Sequence, residues 1–281
     1  MGSHIDDEAF IPAIFDQSVL QPELDLDAAV VHFAREGWAT TSPVVDAALL
    51  ERLSAELGDL EPKAGLRNLL DISPAARTLA SSMAVRHIPE AVLGAGCFVT
   101  RAILFDKTPE SNWKVPWHQD LAIAVAERRE LPGFGPWSVK DGVVHVQPPT
   151  AVLAGMVTVR VHVDDCGLEN GPVRVLSRTH DLGKLDPARI QQLRSSATEV
   201  SCTARRGGIL AFRPLRLHAS SASTNPGRRR VAHFEFAATD LPEGLDWQLR
   251  WRSEPGISPP EDGPSRMPGQ QAPRIVHTDI R

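Results

Sequence analysis

The apolar positions along the chain change period once, near residue 97. Upstream of that point they recur every three to four residues. "LDAAVVHFAREGW" places Ala29, Val30, Phe33 and Ala34 on one face of a helix, with Gly37 just past its end to take the left-handed turn. "SPVVDAALLERLSAEL" repeats the spacing at Val45, Leu49, Leu53 and Leu57, with Ser42 as N-cap and Pro43 at the first helical position. "SPAARTLASSMAVRHI" uses the same device at Ser73 and Pro74, and "WATTSP" between the first two helices is short enough for an edge strand. These segments predict a helical N-terminal part reaching about residue 95.

From Cys97 the period falls to two. "CFVTRAILF" is rich in β-branched and aromatic residues, and "GGILAFRP" and "RRVAHFEFAA" follow further on. "MVTVRVHVDD" alternates strictly, with Val157, Val159, Val161 and Val163 on one face and Met156, Thr158, Arg160 and His162 on the other. The valine face demands a core. The Arg160 face has two readings, the solvent side of an ordinary sheet or the lumen of a barrel that holds a polar ligand. Strands after helices predict a mainly β fold with α, an antiparallel barrel or sandwich over 97–252 with the helices packed outside. The Pro- and Gly-rich stretch 253–281 is expected to be an irregular tail wrapping it, and no repeat or boundary divides the chain, so one domain over 1–281 is expected.

Composition narrows the function. The 281 residues are 42% hydrophobic with a net charge of −5, which gives no footprint for a nucleic acid or other polyanion. No apolar run nears the roughly 20 residues of a membrane span, and Met1–His4 reads as a vector remnant. Cys97, Cys166 and Cys202 are widely spaced without a C-x-x-C pair, which points to a reducing cytoplasm.

The candidate chemistry sits in "VPWHQDLAIAV". On a strand, His118 and Asp120 share a face and can converge on one ion, with a third ligand coming from a distant strand. His218, at the end of an apolar strand, is the candidate. Two imidazoles and one carboxylate form the facial triad that leaves positions open on Fe(II). Arg229 stands eleven residues after His218, where a hairpin would bring it back beside the metal, and its guanidinium suits a carboxylate such as the far end of 2-oxoglutarate. Ser220 could donate a hydroxyl to the same group.

"FDKTPESNWKVPWHQD", "VHVDDCGLENGPVRVLSRTH" and "LHASSASTNPGRRR", in this order and spacing, resemble the phytanoyl-CoA dioxygenase family over roughly Phe33 to Ala237. The resemblance implies a double-stranded β-helix (jelly roll) buttressed by helices. It implies Fe(II) on His118, Asp120 and His218, 2-oxoglutarate on Arg229 and Ser220, and O2, and Arg101 is a further candidate for the co-substrate contact. The implied reaction is hydroxylation of a small metabolite or biosynthetic intermediate with release of succinate and CO2. The alternative is a non-catalytic or non-redox metal-binding barrel that holds a small molecule. Asp120 also departs from related halogenases, which carry Gly or Ala at that position and leave room for a halide. The chain departs from the family at Arg160, often Trp, at Ala219, often Gly, and in "LSRTH".

The substrate-facing candidates are Arg160 and His162 on the alternating strand and Trp137, His145 and Gln147 in Gly133–Pro149. That segment holds three Gly and three Pro and is read as a lid loop. His162 and His145 could equally be plain hydrogen-bonded strand positions. His180 is read as a turn residue, His233 as a core or partner histidine, and Asp106 with Lys107 as a solvated pair. Arg228 and Arg230 should point outward if Arg229 points in.

Overall fold

A computed structural model of the protein describes residues 19–20, 23–58, 60, 65–225 and 227–252. The expected tail 253–281 and the proposed vector remnant lie outside the described residues. The helical part comprises β1 (Val19–Leu20), α1 (Leu26–Glu36), β2 (Trp38–Thr40), α2 (Ala47–Gly58), β3 (Leu66–Arg67), α3 (Leu69–Ile72), α4 (Pro74–Ser81) and α5 (Met83–Leu93). It is followed by β4 (Phe98–Lys107), β5 (Val115–His118), β6 (Ile123–Val125), β7 (Trp137–Lys140), β8 (Val143–Val146), α6 (Thr150–Ala154), β9 (Met156–His162) and β10 (Val173–Leu176). The chain then forms α7 (Pro187–Ser196), β11 (Glu199–Cys202), β12 (Ile209–Phe212), β13 (His218–Ser220) and β14 (Arg229–Ala237).

Two sheets face each other. One has the order β1-β11-β10-β13-β5 and the other β2-β12-β9-β14-β4-β3, antiparallel throughout except where β1 joins β11. At one end the gap between them is filled by Trp38, Leu210 and Phe212 from the longer sheet against Val173, Val175, Val200 and Cys202 from the shorter. This is the jelly-roll arrangement that the family resemblance implies, within the antiparallel barrel or sandwich that the strand pattern predicts. The alternation of β9 decides the layering. Val157, Val159, Val161 and Val163 pack under the helices with Phe33, Leu53, Leu57 and Leu79. Arg160 therefore faces the interior between the sheets, and the solvent reading of that face is excluded. Each such buried valine contributes about 1.5–3 kcal/mol, so the helical layer locks the sheet that carries Arg160.

Three local expectations change. Ala34 is exposed, because the buried stripe of α1 runs through Ala29 and Phe33 and Ala34 lies about 100° round the helix from Phe33. Helix α2 starts four residues after Pro43. Its cap is Asp46, whose carboxylate accepts from the Leu49 amide at 2.8 Å, while Ser42 instead bonds the Leu24 carbonyl. The segment Gly133–Pro149 is no loop. β7 and β8 pair antiparallel about a two-residue turn, Asp141-Gly142, both at positive φ, and β8 also pairs with β6. Asp-Gly between alternating strands is the turn chemistry that such hairpins require. Ser73 does cap α4, accepting from the Ala76 amide at 2.9 Å. Among the described residues no helix is long and apolar enough to cross a membrane.

The junction between helices and sheets is tight at Gly37. It takes φ +72, its amide closes α1 on the Phe33 carbonyl at 2.7 Å, and the His180 imidazole lies where a Cβ would stand. Gly37→Ala should cost on the order of 1–3 kcal/mol from strained backbone, with overpacking added. A denaturant titration should show a lower midpoint at unchanged slope, and an unchanged midpoint would mean that His180 moves aside freely.

Candidate metal centre

His118 ends β5 and His218 begins β13, and the register of those paired strands sets the two opposite each other with ring centroids 4.2 Å apart. Asp120 lies just past β5, its amide donating to the Pro214 carbonyl at 2.9 Å. The residue between, Gln119, points the other way and is buried. Its side-chain amide donates to the Gly183 and Leu215 carbonyls and accepts from the Leu185 amide, fixing the chain at the turn between the two candidate ligands. The Nε2 atoms of His118 and His218 each lie 3.6 Å from a different oxygen of Asp120. One ligand atom from each of the three falls within 4.8 Å of the others, close enough to share one cation.

Both imidazoles are held in one orientation from behind. His118 Nδ1 lies 2.9 Å from the Pro116 carbonyl and His218 Nδ1 lies 2.8 Å from the Arg216 carbonyl. A carbonyl only accepts, so each Nδ1 carries the proton and each Nε2 lone pair is left free toward Asp120. Arg216 is fully buried, and its guanidinium donates to the Glu36 carbonyl at the end of α1, which ties the His218 strand to the helical layer. Burial pulls the His218 pKa down to about 4, so this imidazole stays neutral. At His118 burial acts in the same direction but Asp120 outweighs it, and its pKa rises above 6.5. Burial opposes the Asp120 charge, yet the two histidines prevail and hold its carboxyl well below the usual carboxylate range.

The triad opens on a cavity of about 180 Å³ between the two sheets. Ser220 and Arg229 line it, as the sequence reading expects, and so does Arg160. Arg229 donates weakly to the Gly171 carbonyl at 3.4 Å, and its Nε has no partner. Gly171 holds φ +63 under the Ser221 carbonyl, so the Asn-Gly turn is needed to bring this backbone close. Arg228 and Arg230 point away, onto Asp106 and Asp164.

Other candidates are placed elsewhere. Arg101 does not line the cavity, because its guanidinium is paired with Glu235 on the neighbouring strand. His162 shares the lumen face but is shut in, with both ring nitrogens unpartnered and its pKa pulled to about 3 by burial and then Arg160. Trp137 packs on the apolar cluster behind the hairpin, His145 is buried, and the Gln147 backbone pairs with Gly135 and Pro136, so none of the three lines the cavity. The hairpin reaches the neighbourhood only at its tip. Asp141 pairs with Arg67 beside an open outer hollow that shares Phe105 and Trp113 with the cavity. Lys107 is no solvated residue. It is buried, donates from Nζ to the Ser221 carbonyl at 2.7 Å, and lies over the Trp113 ring, and burial and then Arg229 lower its pKa to about 8.

Of the wall residues that the sequence reading missed, three are polar or aromatic. His233 lines the cavity, with Nε2 3.1 Å from Glu235. It shares the parity of Arg229 on β14, a signal that was available. Phe105 shares the parity of Arg101 on β4 in the same way. Trp113 stands in an irregular segment where no periodicity could assign it.

The sequence profile described as phytanoyl-CoA dioxygenase matches residues 33–231. The chain belongs to this family. Solved structures share the fold. They include AviO1 from Streptomyces viridochromogenes Tue57, with TM-score 0.57 and 21% identity over 79% of this chain and 99% of that one. HygX from Streptomyces hygroscopicus, crystallised with nickel and 2-oxoglutarate, has TM-score 0.55 and 17% identity over 78% of this chain and 88% of that one. SnoK, a non-heme alpha ketoglutarate dependent carbocyclase from nogalamycin biosynthesis, has TM-score 0.58 and 14% identity over 83% of this chain and 98% of that one. No curated protein matches by sequence.

Metal loading of this phytanoyl-CoA dioxygenase homologue should be linked to one proton. His118 must lose its proton to offer Nε2, and its pKa lies above 6.5, whereas His218 is already neutral down to about pH 4. Nickel(II) affinity should therefore fall about ten-fold per pH unit on the acid side of the His118 pKa. Calorimetry in buffers of different ionisation enthalpy counts the protons, and two released per ion near pH 5.5 would show His218 charged as well.

Proposed function

We propose that the chain is an Fe(II)- and 2-oxoglutarate-dependent dioxygenase that hydroxylates a small molecule, with His118, Asp120 and His218 as the metal ligands. The observation that carries this reading is the pair of Nε2 atoms presented to Asp120 with Nδ1 already satisfied. That donor set of two neutral imidazoles and one carboxylate, on one side of an open cavity, suits Fe(II). HygX, which shares the fold, has been crystallised with nickel, 2-oxoglutarate and hygromycin B bound, which supports this reading.

The iron, with 2-oxoglutarate and O2, supplies the oxidising power to break a substrate C–H bond, returning hydroxyl, succinate and CO2. The protein's part is placement. The carbonyls of Pro116 and Arg216 hold the imidazoles in the metal-binding tautomer. Asp120, kept ionised, fills an anionic position that a halide would otherwise take. Arg229 and Ser220 bind the far carboxylate of 2-oxoglutarate. The apolar walls at Phe105, Trp113, Val115 and Val173 exclude water around them.

Anaerobic protein with Fe(II) and 2-oxoglutarate should develop a weak visible charge-transfer band that saturates with co-substrate. Arg229→Ala should weaken 2-oxoglutarate binding by about 1.5–3 kcal/mol, roughly ten- to a hundred-fold, and leave nickel(II) affinity almost unchanged. No band, tight zinc and no succinate from any metabolite pool would favour the non-redox metal-binding barrel. An Arg229→Ala variant with wild-type co-substrate affinity would move the carboxylate contact to Arg160.

A further inference from the structure

Among the described residues Arg160 is the lumen arginine without a hydrogen-bonded or ion-paired partner. It lines the cavity with the metal triad, in register with His233 on β14 and Leu210 on β12. Its Nε is buried and unbonded, and among the described residues no carboxylate or carbonyl receives its guanidinium. Its contact is the Phe105 ring, 5.0 Å from the guanidinium carbon. The neighbouring arginines are all engaged: Arg101 with Glu235, Arg216 with the Glu36 carbonyl, Arg230 with Asp164, and Arg229 with the Gly171 carbonyl. Burial and then Arg229 lower the Arg160 pKa to about 10, which still leaves it charged at neutral pH. A desolvated cation in this position calls for an anion.

Charge balance says which anion. The carboxylate whose charge acts on it, Asp120, is committed to the metal in the proposed function. A divalent iron, one aspartate and doubly negative 2-oxoglutarate leave one negative charge, and Arg229 cancels it. The Arg160 charge then stands alone, with Lys107 adding to the same sign. We propose that Arg160 is a specificity-determining residue that recognises a carboxylate on the substrate, so that the enzyme acts on small organic acids with an apolar or aromatic body. The inference rests on the Fe(II) and 2-oxoglutarate reading of the same site.

The space agrees with this assignment. A cavity of about 180 Å³ is small beside the roughly 300–1,000 Å³ of most ligand pockets, so the substrate must extend beyond it. The way out passes Phe105 and Trp113 into the outer hollow, where Arg67 and Asp141 pair across β3 and the hairpin tip. Its walls are two aromatic rings at the inner end and polar groups at the outer end. An acid headed inward to Arg160 would lay its apolar body along those rings.

The test uses nickel-loaded full-length protein saturated with 2-oxoglutarate and two matched pairs of probes, phenylacetate with phenylacetamide and hexanoate with hexanamide. Calorimetry should show at least one acid binding about ten-fold or more tighter than its neutral amide. Arg160→Gln should abolish that preference, while Arg160→Lys, which keeps the charge without the fork, should retain part of it and report that the fold survives. Equal affinity for acid and amide in both pairs overturns the proposal. So does an Arg160→Gln variant that loses about ten-fold or more in 2-oxoglutarate affinity with no probe present, because the residue would then belong to the co-substrate. If wild-type protein binds no 2-oxoglutarate yet still prefers acid over amide through Arg160, the oxygenase reading fails and the anion site stands.

Discussion

A carboxylate buried between two imidazoles is the interaction on which the rest of this structure depends. Removing Asp120 from water costs several kcal/mol, and only well-placed partners offset that. Here two Nε2 atoms stand 3.6 Å from its oxygens, so a proton on His118, or a cation shared by all three residues, would supply that offset, and the two rings come from strands that are neighbours in space and 100 residues apart in sequence. The geometry therefore exists only when β5 and β13 pair in the right register. A one-residue slip would turn one histidine to the outside of the sheet. The bonds that hold this register are not at the site. They are the Gln119 amide fixing the loops behind β5, and the Arg216 guanidinium fastening β13 to the end of α1.

The second requirement is that the facing sheet be rigid and polar on its inner side only. β9 meets it with the simplest possible pattern, valine outward to the helices and Thr158, Arg160 and His162 inward. The helical layer thus does more than cover an apolar face. By burying every second residue of β9 and β14, it leaves the alternate residues no choice but to face the lumen. Arg229, His233 and Glu235 on β14 are delivered there by the same rule. The inner surface accumulates cations as a result.

Much of this was legible in the sequence because it rests on period and on short motifs. The switch near residue 97, the β9 alternation, the His-x-Asp pair and the Arg229 spacing needed no partner strands to be seen. What was hidden depended on tertiary company. Lys107 has the look of a turn residue until the Ser221 carbonyl and the Trp113 ring close over it. Asp46 displaced Ser42 as cap because the Leu24 carbonyl claimed the Ser42 side chain. The hairpin at Asp141-Gly142 was masked by the prolines and glycines around it, although the Asp-Gly turn itself was visible. Trp137, His145 and Gln147 were assigned to the site on the strength of a loop that is a sheet.

Arg101 shows why residue type alone could not settle the co-substrate contact. It shares the lumen face with Arg160 and was a reasonable candidate for the same carboxylate. Glu235, however, stands on β14 opposite Arg101 and borders a small hollow with Asp120, Ile123, Leu153 and Met156. His233 stands 3.1 Å from Glu235 and Arg101 pairs with it from the neighbouring strand. Burial opposes the Glu235 charge, yet Arg101 and His233 together hold its carboxyl below the usual range, so the Arg101 charge is already used. Glu235 in turn holds the His233 ring against the cavity wall. The lumen thus contains two kinds of arginine, one balanced by an internal acid and one left over. The chain supplies an acid for the first and none for the second, and that difference separates support for the site from recognition of what enters it.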